Sequence, residues 1–347
     1  MQKLIIYACM LLIHFGVLCA CDEETRSVEP IGGEPMGGEP MAGEERIISC
    51  ESYESAATYS ELNTEELPEL SGLSPSGIYP HVFWSHNDSG HDPILYALHS
   101  SGELMATIDF PHPHPDRADL EDIDTAPCPR HPEHPCLWIA DTGDNGGSRD
   151  DIAIYVIPEP TLNVPTEAPF SEEVERLSLD ERELVTLRLE YEEGASDIEA
   201  LVVEGSGEAL WLIEKVEDRE ARVWRYELDL ERIAVDAKPP RQILSAITRF
   251  TSPGIPINRG RLVTAADLSP DGLHLALRVY TGVYEYRLPA PNFVSAISLL
   301  TPTQVRLGPL TEPQGEALCY DAESNLWSAS ESDGSIQVLT RQLCIEE

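Results

Sequence analysis

Three strand motifs recur in the same order five times along this chain, and that recurrence limits the fold more than any other feature. The openings are "ELSGLSPSG" (69–77), "DLEDIDTAP" (119–127), "DIEALVVEG" (197–205), "TAADLSPDG" (264–272) and "QGEALCYDA" (314–322). Each is followed by a second run: "VFWSHNDSG", "CLWIADTGDN", "ALWLIEKVED", "HLALRVYTG" and "NLWSASESDG". A third comes next: "PILYALHSSG", "IAIYVIPEP", "RVWRYELDL", "VYEYRLP" and "IQVLTRQL". Short or alternating apolar runs bounded by Gly, Pro, Asp and Asn read as strands, and helical periodicity is scarce.

A fourth run serves the first four units as "LMATIDF", "LVTLRLEY", "QILSAITRF" and "TQVRLGPL". The fifth unit runs out of chain after its third strand, while "ERIISCESY" (45–53) stands unused near the other end. Four strands per unit, with the last sheet completed from the N-terminus, is the closure scheme of a β-propeller. The expectation is an all-β chain with a single five-bladed β-propeller over residues 46–347. Corresponding positions at Gly72, Asp122, Ala200, Asp267 and Ala317 are unevenly spaced. A sixth blade would have to lie unrecognised in one of the long spacings, and a pair of β-sandwiches is the competing architecture.

The first twenty residues stand apart from this pattern. Lys3, a mostly apolar stretch and then "LCAC" read as an export leader over 1–20, with Cys21 as the lipidated first residue of the mature chain. A plain secretory signal or an uncleaved anchor is the alternative. Residues 21–45 contain "EPIGG", "EPMGG" and "EPMAG", whose Pro, Gly and self-repelling Glu favour an extended, disordered tether. The chain is thus expected to be exported and held at the bacterial envelope by lipid, as a monomer whose domain faces periplasm or exterior. Formal charge is −39 and becomes −40 once Lys3 leaves with the leader, so nucleic acid is excluded as a partner. Basic partners and cations remain compatible.

In a propeller the first strand of each blade lines a central channel, so equivalent residues form rings. Glu121, Glu199 and Glu316 are equivalent, with Ser71 and Ala266 in the other blades; Asp119, Asp197 and Gln314 stand two residues earlier, on the same strand face. Carboxylates gathered on one mouth suit Ca²⁺ or Mg²⁺, which take oxygen ligands, although such acids also serve as structural caps. The second runs add Asn87, Asp141, Glu214, Arg278 and Ser330, then Asp88, Thr142, Lys215, Val279 and Glu331. Ligand-binding candidates are therefore Asn87, Asp88, Asp141, Glu214, Lys215 and Arg278, the last two suited to an anionic group. If the mouth is catalytic, the candidates are Glu199, His86, Lys215 and Arg278. Asp144 and Asn145 in "TGDNGG" read as an ion ligand or, better, an Asx turn.

The strings "HNDSG" with "LYAL", "DLEDI", "LWIADTGDN", "IYVIPEP", "DIEAL", "ADLSPDG" with "ALRVYT", and "QGEAL" together resemble a family of exported bacterial propellers. That family is related to the SdiA-regulated proteins and, more distantly, to esterase-like phytase propeller domains. The resemblance spans about residues 65 to 342. It implies a propeller and is compatible with a divalent cation, but it points to no particular reaction.

Export permits disulfides. "CPRHPEHPC" is a proline-stiffened loop whose ends close as Cys128–Cys136, and strand closure brings Cys50 beside Cys344, leaving Cys319 as a thiol. The rival pairing is Cys319–Cys344. The histidines of "PHPHP" and "CPRHPEHPC" (His112, His114, His131, His134) admit a zinc or copper site, but a disulfide with exposed histidines is the favoured reading. No nucleophile elbow, phosphate-binding loop or HExxH motif is present. Two functions remain: a tethered module binding a ligand or envelope protein, and a metal-dependent hydrolase of phosphoesters or other esters.

Overall fold

Five antiparallel sheets follow one another along the chain, each begun by one of the opening motifs. The computed structural model describes residues 50–345 apart from 56, 64, 230–240, 257–258, 306–313 and 333–336. The expected leader, Cys21 and the tether lie outside the described residues. Blade 1 runs through Leu70–Pro75, Val82–Asn87, Ile94–His99 and Leu104–Asp109. Blade 2 comprises Leu120–Cys128, His131–Asp141, Ile152–Pro158 and Val185–Tyr191. Blade 3 is Ile198–Val203, Ala209–Glu214, Ala221–Glu227 and Ala246–Phe250. Blade 4 is Val263–Leu268, His274–Val279, Gly282–Arg287 and Thr303–Val305. Blade 5 is Gly315–Tyr320, Leu326–Ser330 and Val338–Gln342, completed by Ala57–Glu61 from the N-terminal side.

The ring is closed by packing. Each inner strand contacts the next and the last contacts the first. A hydrophobic cluster fills each seam: Trp84 with Leu137 between blades 1 and 2, Trp138 with Leu212 between 2 and 3, and Ile213 with Leu277 between 3 and 4. Ala276 meets Leu326 between blades 4 and 5, and Leu73 meets Trp327 between 5 and 1. Each fully buried aliphatic side chain contributes roughly 1.5–3 kcal/mol. Four blades place a tryptophan three residues before the end of the aligned second strand: Trp84, Trp138, Trp211 and Trp327. Three of those rings donate to a carboxylate, on Glu159, Glu204 and Asp321.

Two details depart from the sequence reading. Closure comes from Ala57–Glu61, paired antiparallel with Val338–Gln342, and not from "ERIISCESY". Of that segment, Ser52–Tyr53 instead forms a two-residue ladder with Cys344–Ile345, and residues 45–49 lie outside the described residues. Cys50 nevertheless bridges Cys344, with Cα atoms 5.4 Å apart. The Cys128–Cys136 bridge forms at 4.9 Å, and Cys319 is a buried thiol. A bridge spanning 294 residues contributes roughly 5.5–6 kcal/mol in the chain-entropy picture. Tyr53 adds a hydrogen bond of 2.6 Å to Glu285, tying this segment to blade 4.

The other departure is strand exchange. "QILSAITRF" is two strands, not one: Gln242–Leu244 pairs parallel with the outer strand of blade 2, and only Ala246–Phe250 stays in blade 3. Glu175–Ser178, from the long loop inside blade 2, likewise pairs parallel with the outer strand of blade 1. Blades 1 and 2 thereby gain a fifth strand.

Candidate metal centre at the axial mouth

Each inner strand begins with an irregularity. Between Leu120 and Asp122, Ile198 and Ala200, Val263 and Ala265, and Gly315 and Ala317, two residues face one on the second strand. The extra residues are Glu121, Glu199, Thr264 and Glu316. In blade 1 the irregularity falls one residue later, at Gly72, after Ser71. A bulge bends a strand and re-aims its side chain, so three of the five bulges turn a glutamate inward at the same level. This fixes blade 4 differently from the sequence alignment: Thr264, not Ala266, is the equivalent of Glu121.

A second repeat frames the mouth. The residue just past each second strand donates its backbone N–H to the carbonyl just before each inner strand: Asp88 to Glu69, Thr142 to Asp119, Lys215 to Asp197, Tyr280 to Leu262 and Glu331 to Gln314. This places Asp88, Lys215, Tyr280 and Glu331 around the carboxylates. Oxygens of Asp88, Asp119 and Glu121 lie within 4.8 Å of one another, as do those of Glu121, Asp197 and Glu199. Gly143, next to Thr142, leaves the room: a Cβ there would fall 1.9 Å from Glu121 Oε1 and 2.5 Å from Asp119 Cγ.

Glu121 is fully buried, and among the described residues neither of its carboxylate oxygens has a hydrogen-bond partner; Asp119 Oδ1 and Glu316 Oε2 share that condition. An uncompensated buried carboxylate is costly, so it takes up a proton or a cation. Burial, then the charges of Glu199 and Asp88, push the Glu121 carboxyl well above its usual range. Burial and Asp88 raise Asp119 to about 6, and burial raises Glu199 to about 7 despite the neighbouring Lys215. Burial also raises Glu316, to which Glu199 adds. Lys215 bonds Glu199 at 2.5 Å; against a burial that favours losing its proton, the charges of Glu199 and Glu316 hold it on. Glu316 additionally accepts from Gln314 at 2.6 Å, and Gln314 also reaches Glu331. Three carboxylate oxygens within reach of one point, twice over and with small-residue clearance, are the donor type that a hard divalent cation takes.

The structure does not bring every sequence candidate to this mouth. Adjacent strand residues face opposite ways, and Asn87, Asp141 and Glu214 turn outward into finished networks. Asn87 bonds Glu66, Glu69 and Tyr96. Asp141 accepts from His112, Arg149 and the Asp119 amide. Glu214 is held by Ser196, Arg219 and Arg222. Arg278 is one register step off: Val279 pairs with Val263 as Asn87 does with Leu70. Its guanidinium lies 1 % exposed against blade 5, where a Cβ on Gly315 would fall 1.7 Å from Nη2. His86 is fully enclosed, and burial lowers it to about 4, so it offers no solvent-facing base.

Other residues escaped the sequence reading. Gly143 and Tyr280 shape the mouth, and their only signal was adjacency to an aligned position. His112 is buried, not exposed as His114, His131 and His134 are. Its Nδ1 accepts the His114 amide at 3.0 Å, so Nε2 carries the proton and donates to Asp141. Asp144 caps its own loop by accepting the amides of Ser148 and Arg149, four and five residues on, a longer reach than the two-residue bond of the expected Asx turn.

No protein-family model matches this chain, and no curated protein does. Among solved structures it is similar to a luciferin-regenerating enzyme, at 11 % identity over 81 % of this chain and 92 % of that one, TM-score 0.41. It is also similar to a gluconolactonase from Xanthomonas campestris, at 11 % identity over 84 % and 89 %, TM-score 0.40. A Bacteroides thetaiotaomicron protein of unknown function aligns at 10 % identity over 83 % and 75 %, TM-score 0.41. At such scores the likenesses carry no argument about this site; the strand order and the five filled seams establish the propeller.

Proposed function

We propose that this chain is a propeller module that binds a divalent cation, calcium first, at the carboxylate mouth and presents it to a ligand or an envelope protein. The observation that carries the reading is Glu121: fully buried, without a hydrogen-bond partner, and within 4.8 Å of oxygens from three blades. The leader over 1–20, with Cys21 directly after it, and the Pro/Gly tether support a lipid-anchored monomer at the cell envelope, and the resemblance to SdiA-regulated propellers is compatible with that setting.

The test is thermal. A cation specific to the folded state stabilises it by about 2.7 kcal/mol at a hundredfold excess over Kd. Millimolar Ca²⁺ or Mg²⁺ is expected to raise Tm of the wild type but not of Glu121→Gln; no rise with either ion defeats the reading.

One observation favours a metal-dependent hydrolase as the second reading: the Lys215 ammonium stands beside the carboxylates, where it would meet an anionic group. The enclosure of Arg278 and His86 removes two of the four groups that such chemistry would draw on. Turnover of phosphoesters or carboxylesters by metal-loaded protein, abolished in Glu199→Gln, would overturn the binding-only reading.

A further inference from the structure

The mouth contains two sets of three carboxylates, and they share one member. Asp88, Asp119 and Glu121 form one set; Glu121, Asp197 and Glu199 form the other. Glu121 has two oxygens, both buried and both without a hydrogen-bond partner among the described residues. A carboxylate that belongs to both sets and has both oxygens unpartnered is placed to bridge two ions.

Lys215 breaks the equivalence of the two sets. Its ammonium bonds Glu199 at 2.5 Å, and its charge also acts on Glu316, Glu121 and Asp197, so it bears on every member of the second set and on Glu316 beside it. Its side chain is 7 % exposed, held inside the mouth rather than over it. Asp119, in the first set, lies near Arg149 instead, and that guanidinium is engaged by Asp141 at 2.8 Å and by the Gly143 carbonyl at 3.1 Å. The second set thus has a cation of its own, tethered by a four-carbon stem.

We propose that the mouth has two cation places bridged by Glu121, and that Lys215 fills the second in the metal-free protein, so a second divalent cation enters only by displacing the ammonium. The proposal rests on the cation reading above and adds its stoichiometry and order. The first ion takes Asp88, Asp119 and Glu121. The second takes Asp197, Glu199 and the other Glu121 oxygen, and binds more weakly because Lys215 must leave Glu199. The Tyr280 ring, centred 5.5 Å from Nζ, gives the ammonium an aromatic face to retain as it moves.

Calorimetric titration of the full chain with CaCl₂ tests this, with circular dichroism melts run alongside. Wild type is expected to take two ions in separate steps. Lys215→Met should tighten the second step at least tenfold and leave the first within twofold. Asp88→Asn should weaken the first step at least tenfold, and Asp197→Asn the second. One ion per chain in both wild type and Lys215→Met overturns the two-place mouth, as does a second step that Lys215→Met leaves unmoved. If Lys215→Met does not fold, Lys215→Arg decides: a guanidinium grips a carboxylate through two hydrogen bonds, so the second step should weaken at least tenfold, and an unchanged step overturns the proposal. No binding heat and no rise in Tm in any form would sink the cation reading itself.

Discussion

The inner strands carry two populations of buried carboxylates separated by only a few residues, and their surroundings differ in kind. At the mouth, Glu121, Glu199 and Glu316 stand on bulges and face one another. Deeper in the channel, Asp122, Asp124 and Asp267 sit on regular strand. Asp122 accepts the Leu201 amide at 2.9 Å, Asp124 the Val203 amide at 2.8 Å, and Asp267 the Tyr320 amide at 2.7 Å. Each deep aspartate therefore laces its blade to the next. Burial raises both populations and neighbouring carboxylates add to it in each, but only the deep acids have backbone amides that pull the other way; at the mouth Glu121 and Glu316 have none. The same side-chain chemistry is structural where strand geometry hands it a donor, and available to a ligand where a bulge turns it away from one.

The sharpest way to break this contrast is to neutralise one acid from each population. Glu121→Gln is expected to cost at least a hundredfold in calcium affinity, about 2.7 kcal/mol, while the metal-free protein keeps its stability. Gly143→Ala should act in the same direction by filling the space beside Glu121. Calorimetry and urea denaturation check both; a large loss of metal-free stability in Glu121→Gln would merge the two populations.

Asp122→Ala is the mirror experiment. It leaves the Leu201 amide buried without an acceptor and should destabilise the fold by about 2 kcal/mol, with calcium affinity unchanged within threefold. Urea midpoints read the first effect and titration the second.

The pH dependence separates the populations by their response to metal. Glu199 at about 7 and Asp119 at about 6 hold protons in the folded state that the unfolded chain has already lost. Their contribution is thus complete below the ordinary carboxylate range and disappears as pH rises through 6 and 7. Metal-free protein should lose stability between pH 5 and 8, by at most about 1.4 kcal/mol per pH unit for each group. Calcium should reduce that loss, and Glu199→Gln should lessen it even without metal. A decline that calcium leaves untouched would assign it to deep acids such as Asp124, at about 6. The smallest effect is at the seams: Thr264→Val removes a 2.8 Å bond to the Gly315 carbonyl and should cost about 1 kcal/mol without touching calcium binding.

Much of this architecture was legible because period-two hydrophobicity survives any change in loop length. The five blades and the need for a closing strand from the N-terminal side follow from it, but the segment chosen, "ERIISCESY", is not the one that closes the ring. Both disulfides form as expected, Cys128–Cys136 from its short proline-stiffened loop and Cys50–Cys344 although Cys50 lies outside the closing strand. What escaped was register. "TAADLS" offers two alignments with the other openings, and only the bulge at Thr264 chooses between them; the same one-residue ambiguity put Arg278 at the mouth in place of Val279. Bulges leave no compositional mark here, so the sequence could show that acids cluster but not which oxygens stay unpartnered. His112 was unreadable for a different reason. Its partner Asp141 is 29 residues away, on a strand whose facing depends on that same register. The exchanged strands Glu175–Ser178 and Gln242–Leu244 are too short to announce which sheet they join.

The bridge between Cys50 and Cys344 also governs how the ring would bear mechanical load. A pull on the polypeptide N-terminal to Cys50 reaches a covalent fork before it reaches any sheet. One arm runs through Ser52–Tyr53 toward the closing strand Ala57–Glu61; the other passes through Cys344 into Val338–Gln342, the strand with which Ala57–Glu61 is paired. Tension therefore arrives at both partners together and tends to drag them as a unit. Without the fork the same pull would act on the closing strand alone, against hydrogen bonds that yield one after another.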